Sequence, residues 1–127
     1  MGKALEGIKV VELATYVAAP CAGKFLADRG AEVIKIEALG GDNTRSVAES
    51  EGRPVFEDDP RHNLTFKLEN DNKKSLSMNI KDPDCFEILM KLIANADVFI
   101  TNWRPQALER KGLDYESLKK KFPKLVY

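Results

Sequence analysis

Apolar positions along the chain fall into short β-branched runs that alternate with segments of helical spacing. Ile8-Lys9-Val10-Val11-Glu12-Leu13 reads as a strand. Pro20 to Arg29 reads as a helix, with Pro20 in the first turn and Gly30 just past the end. Its expected buried face carries Ala18, Cys21, Ala22, Phe25 and Leu26, at spacings of three and four. Glu32-Val33-Ile34-Lys35-Ile36-Glu37 is a second strand, and the two strands with their helix make a right-handed βαβ unit.

A polar stretch from Ala38 to about Lys74 shows no strong periodicity beyond a short helix or strand near Leu64 to Leu68. A loop of that length inside a compact domain points to function or to packing against another segment. Ser75 to Ile80 alternates as a strand. Asp82 caps, and Pro83 opens, a helix reaching Ala94, with Phe86, Leu89, Met90 and Ile93 as its stripe. Asp97 to Thr101 is a fourth strand. Pro105 to Arg110 is a short helix closed by Gly112, and Asp114 caps another from Tyr115 to Phe122, where Pro123 blocks continuation. Lys124 to Tyr127 begins a fifth strand. The alternation predicts an α/β fold, a doubly wound Rossmann-like parallel sheet with helices on both faces. Ending on an apolar strand reads as truncation, so the expectation is a piece of a longer polypeptide.

Charge narrows the function. Twenty Lys and Arg balance twenty Asp and Glu, which argues against a general nucleic-acid binder but leaves room for a local basic pocket. No apolar run approaches membrane-spanning length and no signal-peptide pattern opens the chain, so the expected location is cytoplasmic, with no membrane partner. The two cysteines, Cys21 and Cys85, form no CxxC pair and read as reduced, partly buried thiols. No metal site is expected: His62 stands alone in the polar loop, and Glu57-Asp58-Asp59 reads as a solvated acidic run. Lys119 to Lys121 reads as a solvated face at a helix carboxyl end.

In open α/β sheets ligands sit beyond the carboxyl ends of the strands, and three such ends stand out. Ala14 to Pro20, after the first strand, has no glycine, so the dinucleotide fingerprint GxGxxG and a Walker loop are both absent. Ala38-Leu39-Gly40-Gly41-Asp42-Asn43-Thr44-Arg45 permits close backbone approach, and Arg45 could meet a phosphate; a plain solvated turn is the other reading. Asn102-Trp103-Arg104-Pro105, with Arg110 further on, offers an aromatic plane for an adenine and guanidinium groups for phosphate oxygens; a core Trp beside an exposed Arg is the alternative.

Several segments together resemble one family. Leu5 to Leu13 resembles its opening "LxGikVveL", and Ala18-Ala19-Pro20 its small-small-Pro helix start. Ala27 to Glu37 is very close to "ladlGAeVIKiE", and Gly41-Asp42 with Arg45 resembles "GDxxR". Asn72 to Leu76 resembles "NkkSl", Asn79 to Pro83 "ldLKdpeG", and Asn102 to Pro105 with Leu108, Arg110 and Gly112 "eNfrPgaleRlG". The order and spacing of these blocks identify the chain as similar to the family III CoA-transferases, which include formyl-CoA:oxalate and carnitine CoA-transferases and alpha-methylacyl-CoA racemase. The wording is most similar to the 2-hydroxyacid branch acting on phenyllactate or 2-hydroxyisocaproate.

The resemblance implies coenzyme A, as acyl-CoA substrate, with no metal. It implies that residues 1–127 are the amino-terminal part of the CoA-binding domain, and that the full-length enzyme is an interlocked homodimer. Its substrates would be acyl-CoA and carboxylic acids. It places CoA contacts at Val17, Met78, Lys81, Asn102, Trp103, Arg104 and Arg110. Met78 and Trp103 would flank the adenine, and Lys81, Arg104 and Arg110 would hold phosphates. A glutamine near the reacting thioester in formyl-CoA transferase is Val17 here, which suggests a different acyl pocket; a basic residue after the second strand is Ala38. The nucleophilic aspartate of the transferases would lie after Tyr127, so this chain would carry no catalytic residue and no activity alone. Two readings compete with a transferase: a racemase of the same family, and a non-catalytic flavodoxin-like binding module.

Overall fold

A computed structural model of the protein describes residues 2–45 and 64–127. The chain runs β1 Lys9–Leu13, α1 Ala18–Asp28, β2 Glu32–Glu37, α2 Leu64–Asn70, β3 Lys74–Ser77, α3 Pro83–Ala94, β4 Val98–Thr101, α4 Pro105–Glu109 and α5 Tyr115–Lys121. The strands form one parallel sheet in the order β3-β2-β1-β4. Val126 makes a parallel bridge to Val98, so the last residues sit in the fifth position beside β4. That is the strand order of a doubly wound sheet, which reverses direction between β1 and β4.

Alternation along the strands sorts side chains onto two faces. Val11 and Leu13 of β1 and Ile36 of β2 join Leu89 and Ile93 of α3, Leu118 of α5 and Phe99 of β4 in the larger core. Val10 and Val33, paired in register, pack with Ala27 and Ala31 under α1. The caps read from sequence are present. Asp82 accepts from the amides of Asp84 and Cys85 at 3.0 and 3.1 Å, and Asp114 from that of Ser117 at 3.0 Å. Gly30 and Gly112 follow their helices at φ +103° and +64°.

Two local expectations are corrected. β3 ends at Ser77 rather than Ile80: the Met78 amide still donates to the Glu37 carbonyl at 2.9 Å, but Met78 and Ile80 then turn into the larger core. The buried face of α1 is Pro20, Gly23 and Ala27, whereas Ala18, Cys21, Ala22 and Phe25 are exposed. Cys21 is therefore an exposed thiol; Cys85 is half-buried as expected, and neither forms a disulfide. The rotation of α1 has a physical reason, because charged side chains lie beneath it and need the space that small residues leave.

Candidate active-site cleft

A cavity of about 330 Å³ opens beyond the carboxyl ends of β1, β2 and β3. Leu13, Ala14 and Thr15 form one wall, Ile36 to Leu39 with Gly41 to Asn43 a second, and Met78 to Lys81 a third; Trp103 closes the β4 side. Most of that lining is apolar, with Lys81 as the cation at its edge. Trp103 is half-buried against the larger core and also borders the cavity.

A network of buried charges lies on the α1 face of the sheet and reaches the cavity wall at Asp42. Where Val10 and Val33 give way to Glu12 and Lys35 two residues later, the α1 side of the sheet becomes charged and fully buried. Lys35 Nζ donates to Glu12 Oε1 at 3.1 Å and to the Ala14 carbonyl at 2.9 Å, and stands 2.9 Å from Asp42 Oδ2. Lys73 Nζ donates to Glu12 Oε1 at 3.1 Å, the Pro20 carbonyl at 2.7 Å and Asn70 Oδ1 at 2.9 Å. It also stands 2.8 Å from Glu12 Oε2. Glu12 Oε2 and Asp42 Oδ2 thus face ammonium groups as ion-pair contacts without aligned hydrogen bonds, while Glu69 Oε2 has a partner of neither kind among the described residues. Gly23 sits over Glu12: a Cβ there would fall inside the contact radius of Glu12 Oε2 and 3.0 Å from its Cδ.

Each carboxyl responds to its surroundings. Burial raises the pKa of Glu12 despite Lys73 and Lys35. Burial, with the Asp42 charge, raises that of Glu69. In Asp42 burial is outweighed by the Thr44 amide and hydroxyl and by Lys35, and its pKa falls. In Glu37 burial is outweighed by Arg45 and Ser75, with the same result.

This network fixes the loop after β2. Asp42 Oδ1 accepts from the Thr44 amide and hydroxyl, both at 2.9 Å, and the Asp42 amide donates to Glu37 Oε2 at 3.0 Å. The loop is therefore an ordered cavity wall rather than a solvated turn. Arg45 is committed elsewhere than to a phosphate: its guanidinium forks onto Glu37, with both bonds at 2.8 Å, and lies 3.7 Å over the Phe66 ring. Across the sheet, Asn102 Oδ1 accepts from the Thr15 amide at 3.1 Å and its Nδ2 donates to the Thr15 carbonyl at 2.7 Å, stitching the ends of β1 and β4 together.

Of the residues singled out from sequence, Met78, Lys81 and Trp103 meet at the cavity. Asn102 turns its amide to Thr15. Val17 is exposed at the start of α1, and Arg104 and Arg110 are exposed at the two ends of α4; none of the three lines the cavity. His62 and the Glu57 to Asp59 run lie outside the described residues. Among the described residues no cluster of His, Cys, Asp and Glu could hold a metal ion, and no helix is long and apolar enough to cross a membrane. Sequence reasoning missed Glu12, Lys35, Asp42 and Lys73. The signal was there in part: opposite charges at matching positions of two otherwise apolar strands, each two residues past a buried valine.

A doubly wound sheet with an apolar cleft at its carboxyl edge is the class of scaffold on which nucleotide-bearing ligands are bound. The chain belongs to CoA-transferase family III, whose model matches residues 5–127. It is 53% identical over 122 residues to the cinnamoyl-CoA:phenyllactate CoA-transferase of Clostridium sporogenes, covering 96% of this chain and 29% of that protein. It is 49% identical over 123 residues to the (R)-2-hydroxy-4-methylpentanoate CoA-transferase of Clostridioides difficile, covering 97% and 30%. Among solved structures, a CAIB/BAIF family protein from Brucella suis superposes with a TM-score of 0.85 at 37% identity, over 100% of this chain and 33% of that one. The chain thus spans about a third or less of the length of these relatives.

Proposed function

We propose that residues 1–127 are the amino-terminal, CoA-binding part of an acyl-CoA transferase that moves CoA between carboxylic acids. The acids are a 2-hydroxy acid and an enoyl acid with apolar side chains, by analogy with the phenyllactate and hydroxymethylpentanoate enzymes. The observation that carries this reading is the apolar cleft at the carboxyl edge, bordered by Met78, Lys81 and Trp103. The adenine ring stacks between Met78 and Trp103, and Lys81 meets phosphate oxygens. Arg104 and Arg110 serve phosphates that extend out of the cavity, and Val17 and Asn102 lie along the pantetheine path. Transfer itself proceeds through an aspartyl-CoA thioester on a carboxylate outside residues 1–127, and the full-length enzyme is an interlocked homodimer.

Calorimetric titration of the full-length protein with CoA and with dephospho-CoA tests the site. Lys81→Ala is expected to weaken CoA by about 1.5–3 kcal/mol, the range for a hydrogen bond to a charged group, and Trp103→Ala by a comparable amount. Unchanged affinity in both variants refutes this placement. Residues 1–127 alone are expected to give no acyl-CoA exchange above a blank.

A further inference from the structure

We propose that Tyr16 is a specificity-determining residue, presenting its ring at the cavity mouth to an aryl or branched-alkyl acyl group. The inference rests on the reading of the cleft as the CoA-thioester site. Tyr16 and Asn72 are the non-glycine residues with positive φ among the described residues, Tyr16 at +61°. A bulky side chain in the left-handed region is uncommon, and such strain persists only where the surroundings over-determine it. They do so here from two separate segments, the ends of β4 and β2. The preceding Thr15 is tied through amide and carbonyl to Asn102 after β4. The Tyr16 amide donates to Asp42 Oδ1 at 3.4 Å, and Asp42 is held by the buried Lys35. The Tyr16 hydroxyl accepts from Asn43 Nδ2 at 3.2 Å.

Packing gives no reason for this outlay of constraint. The residue remains 50% exposed, although a glycine would relieve the backbone at that position. Its neighbours make an apolar rim. Val17 and Leu39 are 53% and 73% exposed, Leu39 and Asn43 line the cavity, and Tyr16 directly follows its wall residue Thr15. With its hydroxyl held by the Asn43 amide, the ring is fixed in place and offers a face and an edge to an apolar group. An aromatic or branched acyl chain would cover that surface and be rewarded by its burial, whereas an acetyl group would be too short to gain from it.

The experiment compares kcat/KM for a phenylacyl-CoA donor and for acetyl-CoA in the full-length protein and in three variants. Tyr16→Gly and Tyr16→Asn both accept the left-handed backbone without the ring; Tyr16→Phe keeps the ring without the hydroxyl. The ratio of the two kcat/KM values is expected to fall about tenfold or more in the Gly and Asn variants and by less than about threefold in Tyr16→Phe. A ratio unchanged in Tyr16→Gly, or an equal fall for both donors, overturns the proposal and leaves Tyr16 as a brace for the loop. Calorimetry of the native protein with CoA separates the two levels: no binding overturns the reading of the cleft and this inference with it.

Discussion

Replacing Gly23 with alanine should destabilise the protein, against the ordinary effect of that change in a helix. In an exposed helix interior Gly→Ala gains about 1 kcal/mol of propensity. Here the new Cβ would overlap Glu12 Oε2 and lie 3.0 Å from its Cδ. A carboxylate at the end of a side chain normally swings aside, but Glu12 is fully buried and held by Lys35 and Lys73. Moving it leaves two buried ammonium groups short of a partner. Disrupting a buried pair costs about 3–5 kcal/mol, so after the propensity gain of about 1 kcal/mol the net loss should be about 2–4 kcal/mol. Urea unfolding followed through the single Trp103 measures it. In a Glu12→Ala background the obstruction is gone, and Gly23→Ala should then stabilise by about 1 kcal/mol. A neutral or stabilising effect in the native background, or the same loss in both, refutes the reasoning.

Three further outcomes follow from the site. Asp42 and Glu37 have pKa values depressed below the ordinary 3.8 and 4.5, so they contribute stability that is present above those values and lost as pH falls through the folded ones. The urea midpoint should therefore drop in the acid range, and the double variant Asp42→Asn, Glu37→Gln should show a flatter acid limb; an unchanged limb refutes the assignment. Glu69 behaves oppositely: with its pKa raised above 4.5, its contribution is present below that value and lost as pH rises through the folded one. Glu69→Gln should then be more stable than the native protein at neutral pH, with the advantage shrinking toward pH 4.5, and a less stable variant there counts against it. Asn102→Ala removes both bonds to Thr15 and should cost about 1–3 kcal/mol, with faster hydrogen exchange at the Thr15 amide; unaltered exchange there would show that the stitch is not what holds the β1 end.

The sheet was legible because its strands are continuous β-branched runs and its helices open on Asp82-Pro83 and Asp114 and close on Gly30 and Gly112. The position of Trp103 at the carboxyl edge was legible for the same reason, since a parallel sheet puts every strand's carboxyl end on one side, whereas Met78 and Lys81 came only through the family resemblance, because the third strand was expected to run on to Ile80. The face of α1 was not. Hydrophobic spacing favoured Cys21 and Phe25, but a helix over buried charges turns its small residues inward, and Phe25 lies exposed under the Arg29 guanidinium instead. Arg45 stood between two readings, a phosphate ligand and a solvated turn, and neither named its partner Glu37, which is hidden at the end of an apolar strand. Pairings between distant segments, such as Glu12 with Lys73, leave no periodic trace.

The network under α1 also bears on how the family can change over time. Glu12, Gly23, Lys35 and Lys73 come from four separate stretches of chain yet share one pocket of space and charge. Losing any one strands the others, whereas exchanging all of them for well-packed apolar residues would be tolerated. Stepwise drift is therefore closed at these positions, and lineages should either keep all four or replace them together, so that they behave as a single inherited character.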